Sequence, residues 1–180
     1  MKHARRLRAT VVRAAKPYWT HAPTSGEGAA RFGGRFNPVG VPALYASFSF
    51  NTCAREVRFS LNAEPYTFYF LDLDCADIVD LSDRTVRGDL KIDWDELECP
   101  NWESEMHQGN EPACQALARR LISKGFAGAV VPSFATGSTP EDLNLVLWKW
   151  DDLTESSVSS THAVWVRNRD KLPKDTSSWR

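Results

Sequence analysis

The chain has 180 residues and a formal net charge of −1, with 22 Lys and Arg facing 23 Asp and Glu. That length suits one domain rather than two independent cores, and the near-cancelled charge argues against a general nucleic-acid binder, which carries a basic excess to neutralise phosphates. Hydrophobic residues at 42% with seven Trp exclude a disordered chain, and no run approaches the roughly 20 apolar residues of a membrane span.

In chain order, the start MKHARRLRATVV has no apolar run and cleavage site behind its charges, so a soluble, cytoplasmic protein is expected. Lys2, Arg5, Arg6 and Arg8 have no aromatic interleaved with them and read as a solvated strand edge rather than an RNA site. Leu7 to Arg13 is predicted as a strand. Thr20 to Gly40 holds five of the ten Gly and two of the ten Pro, which predicts a loop rather than a helix. Ala43 to Ser47 is a short strand, and Ser49 to Leu61 a helix capped by Ser49 with Phe50, Cys53, Ala54, Val57 and Leu61 on one face. Tyr66 to Asp72 is a further strand.

The segment 87–109 gathers seven acidic residues around Trp94 and Trp102. It reads either as a solvated excursion anchored by its tryptophans or as a lid or partner-docking element. A helix is predicted from about Glu111 to Lys124, opened by Pro112 and closed by Gly125, with Cys114, Leu117, Leu121 and Ile122 inward. Ala129 to Pro132, Asn144 to Trp150 and Ala163 to Val166 complete the strands. Strands and helices do not alternate regularly, so the expected class is α+β with a mainly antiparallel sheet. Cys53, Cys75, Cys99 and Cys114 are 22, 24 and 15 residues apart, with no CxxC and no ordered His partner. Reduced, buried thiols and no metal site are expected.

The densest chemical signal is GAARFGGRFNPVGVPALYASFSFNTCAREV, residues 28–57. Gly33 and Gly34 between Arg31 and Arg35 let bare backbone approach a ligand, and two guanidiniums beside free N–H groups suit a pyrophosphate. Neither GxxxxGK[ST] nor a strand-to-helix GxGxxG is present. Glu56 lies about 60° from Cys53 around the helix, on the flank of the apolar stripe; paired to Arg55 or Arg58 it is a surface residue, and turned to a cleft it is a catalytic carboxylate. Tyr45 is either a core strand residue or a ring for stacking, and Ser133 either a turn residue or a ligand contact. Asn144, Trp148, Trp150 and His21 are read as structural first.

The run GGRFNPVGVPALYAS, the Glu of AREV eleven residues after its Tyr, VPS at 131–133, NLVLW at 144–148 and the ending LPKDTSSW together resemble a RES domain. That family takes its name from Arg, Glu and Ser, and its members are toxins of RES–Xre toxin–antitoxin modules. The resemblance implies a single domain over 1–180, an ADP-ribosyltransferase-like fold with split sheets and flanking helices, and NAD as substrate. It also implies an Arg–Tyr–Glu arrangement like the His–Tyr–Glu of diphtheria-type transferases.

Carried over, the Arg falls on Arg31 or Arg35, with Arg31 preferred for direct contact, the Tyr on Tyr45, the Glu on Glu56 and the Ser on Ser133; Gly33, Gly34 and Arg35 join the NAD-binding set. Some relatives degrade NAD by hydrolysis or phosphorolysis, and others ADP-ribosylate a protein, including a phosphoribosyl pyrophosphate synthetase. The acidic excursion, longer than in the small members, favours transfer to a protein target, with a cognate Xre-like antitoxin as partner. A non-catalytic nucleotide- or protein-binding module is the alternative from another class.

Overall fold

The computed structural model describes residues 2–58, 65–153, 160–175 and 177. Strand β1 (Arg5–Ala15) opens the chain, followed by helix α1 (Glu27–Phe32), β2 (Leu44–Ser47), α2 (Phe50–Glu56) and β3 (Thr67–Asp80). Three short helices come next, α3 (Arg84–Leu90), α4 (Trp94–Glu98) and α5 (Trp102–His107), then α6 (Ala113–Ser123), β4 (Gly128–Pro132), β5 (Leu143–Leu147), β6 (Asp151–Asp152) and β7 (His162–Val166). The fold is α+β, as expected.

The strands form one seven-stranded network in the order β1-β2-β5-β4-β3-β7-β6, and β1 also pairs with β3. The expected split sheets are therefore joined: β1 lies along β3 from Thr67 to Ile78 and meets β2 at Val12 and Ser47, closing a circuit of five strands. All pairings are antiparallel except β3 with β4 and β6 with β7. Strand β3 runs eight residues past the predicted end. It changes neighbour from β7 to β4 around Asp77, whose φ of 59° is tolerated because Asp is among the few residues that visit the left-handed region. Pro132 ends β4 where no strand bonds its outer edge, so its missing N–H costs nothing.

Period-two alternation divides the strand side chains between two cores. Leu44, Val130, Leu145 and Leu147 join Val11, Leu71 and Ile78 on one face. Ala43, Ala129, Val131 and Val146 face the other way, under Leu97 of α4 and Leu117 and Leu121 of α6. At the ends of β2, β4 and β5 this second face turns polar: Ser47 lies opposite Asn144, which lies opposite Val131, and Ser133 follows two residues on. A polar corner thus opens at the edge of an apolar layer.

Three expectations change. Residues 27–32 form a helix despite the Gly-rich composition, because EGAARF places its Gly at the second position, in the first turn, and stops at Gly33, whose φ of 73° suits a residue without Cβ. The segment 87–109 keeps most of its acidic residues exposed but is anchored by more than its tryptophans, since Ile92, Leu97 and Cys99 are buried in the second core, and two of its helices are capped, α3 by Asp83 and α4 by an Asp93–Glu96 capping box. Ile122 and Phe50 are exposed rather than inward; Phe50 packs on Phe68, with ring centroids 4.7 Å apart. Leu61 lies outside the described residues. All four cysteines are free and buried, and among the described residues no helix is long and apolar enough to cross a membrane.

Candidate active site

At the polar corner a cleft of about 220 Å³ is lined by Arg35, Tyr45, Cys53, Glu56, Phe134 and Asn144, among others. Glu56 ends α2, whose register is set at its start by Ser49 Oγ accepting from the Thr52 N–H at 3.0 Å. One carboxylate oxygen of Glu56 accepts from Ser133 Oγ and from Asn144 Nδ2, each at 2.5 Å. Asn144 Oδ1 in turn accepts from Ser47 Oγ at 2.6 Å, and Ser133 Oγ lies 2.7 Å from Ser138 Oγ. Two neutral donors on one oxygen fix the carboxylate in place, and among the described residues no cation pairs with it and its second oxygen accepts no hydrogen bond.

Asp142 locks α2 to the loop that carries Ser133. Its carboxylate accepts from Thr52 Oγ1 at 2.6 Å and from the Thr139 N–H at 2.8 Å, and pairs with Arg55 at 2.6 Å. Thr52 heads the causes that hold the Asp142 carboxyl far below the usual carboxylate range, ahead of the Thr139 N–H and Arg55. Arg55 is thereby spent on Asp142, which removes one of the two neighbours that would make Glu56 a surface pair.

Tyr45 closes the other wall. Its hydroxyl donates to Asn37 Oδ1 at 2.7 Å and accepts from the Phe36 N–H at 3.0 Å, while burial pushes its phenol well above the ordinary value. Asn37, fully buried, donates to the carbonyls of Ala29, Pro38 and Val41. Gly34 makes this possible, because a Cβ there would lie 2.7 Å from Asn37 Oδ1 and 2.8 Å from Tyr45 Oη. Gly34 and Asn37 exchange backbone hydrogen bonds of 2.9 and 3.2 Å, and Arg35 projects from the turn between them.

The two arginines of the motif separate. Arg35 lines the cleft, whereas Arg31 sits on α1, 60% exposed, in a loose pair with Glu27 at 3.4 Å. The sequence preference for Arg31 thus meets a structure that brings Arg35, and not Arg31, to Tyr45 and Glu56. The glycine N–H groups are not bare either: Gly33 donates to Ala29 O at 2.8 Å and Gly34 to Asn37 O at 2.9 Å. His21 bonds the Tyr18 carbonyl and lines a separate cavity with Trp150. Trp148 and Trp150 follow β5 and pack on different cores.

Arg13 was missed by the motif reading. It lies on β1 in the register of Leu7, Ala9 and Val11, the core-facing side, and burial draws its guanidinium down to about 10. Nη2 donates to Ser25 O at 2.7 Å, and the buried Nη1 makes no hydrogen bond among the described residues. Arg13 lines a second cavity that shares Ala14 with the first. The available signal was a charge at an inward position of an alternating strand.

Residues 10–167 match the model of the RES domain. The chain belongs to the RES domain family. This RES domain is 27% identical over 133 residues to the NAD(+) phosphorylase MbcT of Mycobacterium tuberculosis and to that of Mycobacterium bovis, a match covering 67% of this chain and 72% of either relative. It also resembles the crystal structure of the M. tuberculosis MbcT–MbcA toxin–antitoxin complex, with a TM-score of 0.57 and 25% sequence identity over 80% of this chain and 75% of the other. The RES match takes in the whole polar corner, from Arg13 to Asn144.

Proposed function

We propose that this RES domain is a toxin that consumes NAD by breaking the bond between nicotinamide and ribose, with inorganic phosphate as the acceptor. The carrying observation is Glu56, pinned by Ser133 and Asn144 in a cleft it shares with Tyr45 and Arg35. The phosphorylase activity of MbcT favours phosphate over a protein acceptor. The excursion on which protein transfer was expected to rest is anchored in the core by Ile92, Leu97 and Cys99.

The positively charged nicotinamide leaves as a neutral ring, taking the bonding electrons from ribose C1′, and the sugar passes through an oxocarbenium-like state. The free oxygen of Glu56 binds the ribose hydroxyl and stabilises that growing charge. A phosphate oxygen then bonds to C1′ and gives ADP-ribose 1″-phosphate; with water in its place the products are ADP-ribose and a proton. Tyr45 offers a ring face to the cationic nicotinamide. Arg35 in the cleft and Arg13 in the cavity that shares Ala14 with it are the cations for the pyrophosphate.

The protein is incubated with adenylate-labelled NAD and cell lysate, with and without added phosphate. Phosphate-dependent ADP-ribose 1″-phosphate is the expected product, label on a protein band indicates transfer instead, and intact NAD sinks both. Glu56→Gln is expected to lower turnover by about 100-fold or more. It is also expected to abolish growth arrest on expression, whereas a binding module would keep its cellular effect. Co-expression with a cognate Xre-like antitoxin is expected to relieve the arrest.

A further inference from the structure

The cationic side chain of the cleft is set by the helical insertion that follows β3. Arg35 Nη1 donates to the carbonyls of Glu98 and Cys99, at the end of α4 where main-chain oxygens lack partners within the helix. Its guanidinium carbon lies 4.9 Å from the Phe134 ring centroid and 5.8 Å from that of Trp102 on α5. Phe134 meets Trp94 edge to face at 5.8 Å, and Arg87 lies over Trp94 at 5.2 Å. Trp94 Nε1 donates to the Glu98 carboxylate at 2.8 Å, which ties the stack back to the helix end that holds Arg35.

Trp102, Arg35, Phe134, Trp94 and Arg87 therefore form one chain of rings and guanidiniums leading from the insertion into the cleft. The insertion and the helix after it grip the base of the same turn: Met106 of α5 fills the space a Cβ on Gly33 would need, and Gln115 Nε2 of α6 donates to Gly34 O at 2.9 Å and to Asn37 O at 3.1 Å. Among the described residues Nε and Nη2 of Arg35 make no hydrogen bond, so the edge of the fork that suits a phosphate oxygen pair is the one left over.

We propose that Trp102 and Phe134 are positioning residues that hold the Arg35 guanidinium ready for the anionic part of the substrate. Arginine carries a large rotamer entropy. A fork already fixed between two rings and two carbonyls gives up little of it on binding, and the aromatic faces keep the charge desolvated without neutralising it. The acidic insertion is thereby part of the grip on substrate, although among the described residues none of its carboxylates lines the cleft. That the anion is the pyrophosphate of NAD rests on the function proposed above; the placement of Arg35 does not.

Two readouts keep the two ideas apart. In the guanidinium 1H–15N spectrum, the Arg35 Nε–H, assigned by its disappearance in Arg35→Lys, is expected to be shifted by the rings. It returns to the range of solvated arginines in Trp102→Ala and stays shifted in Trp102→Phe. An unmoved resonance in folded Trp102→Ala overturns the proposal, and Phe134→Leu gives the same reading where Trp102→Ala does not fold.

In NAD consumption, Trp102→Ala is expected to raise KM about tenfold with kcat within about threefold, Trp102→Phe to recover most of it, and Trp102→Ala to add nothing once Arg35 is Lys. A fall in kcat with KM unmoved also overturns it. A resonance that returns to the solvated range in Trp102→Ala, together with intact NAD in the wild type, supports the positioning and sinks the NAD reading.

Discussion

A buried guanidinium with an unsatisfied nitrogen is costly unless it serves a ligand. Arg13 is in that position, at an inward register of β1 with Nη1 open and Nη2 held by Ser25 O. Replacing it by Lys keeps a charge on a long stem but loses the planar fork. Arg13→Lys is accordingly expected to raise the KM for NAD about tenfold with a smaller change in kcat, measured by initial rates. At this scale the sequence was partly readable. Tyr45, Glu56 and Ser133 are brought together, because a motif of fixed spacing on a strand, a helix and a strand end converges whatever the loops do. The choice between Arg31 and Arg35 was not readable, since it depends on a six-residue helix that carries Arg31 outward and on carbonyls 63 and 64 residues away that draw Arg35 inward.

Among the elements, α2 is the piece on which the site turns. It is seven residues long, too short to hold its own shape without contacts, and Asp142 supplies them through Thr52 and Arg55. Asp142→Asn keeps the volume and removes the charge. It is expected to lower kcat more than it raises KM, because Glu56 then swings against Ser133 and Asn144, while far-UV circular dichroism stays near wild type. Unchanged kcat in a folded variant counts against the lock. The strands were legible because short β-branched and aromatic runs bounded by turn residues have few other readings. What could not be read was the second half of β3, where LDCADIVD carries acids that read as surface. Two of those carboxylates are held by the first strand, Asp74 by Arg6 and Arg8 and Asp80 by Arg5, while Asp72 just before them pairs with Thr10 of that strand and with Arg167.

Across the whole molecule, the same pairings make stability depend on acid. Asp72, Asp74 and Asp142 are all held below the ordinary carboxylate value, chiefly by hydrogen bonds from Arg167, Arg6 and Thr52 respectively. A depressed folded value means that the unfolded chain takes up protons first. The stabilisation is therefore complete above the unfolded value of about 3.9 and is lost as the pH falls from there toward the folded values. Thermal melts are expected to hold steady between pH 7 and about pH 5 as far as these groups are concerned and to drop below about pH 4, with a shallower drop in Asp142→Asn. An equal acid slope in the two proteins would falsify this assignment.

The circuit of strands also has a consequence for how the protein comes into being. Its closing members are far apart in the chain: β1 pairs with β3 across about sixty residues, and β2 waits for β5, which brings Asn144. A polypeptide still being synthesised carries both arginines, Tyr45 and Glu56 long before it carries the strand that gives the carboxylate its second hydrogen bond. The carboxylate is incomplete until β5 is made, so a chain stopped before residue 143 is expected to leave NAD intact and cells growing, whatever residues it already contains.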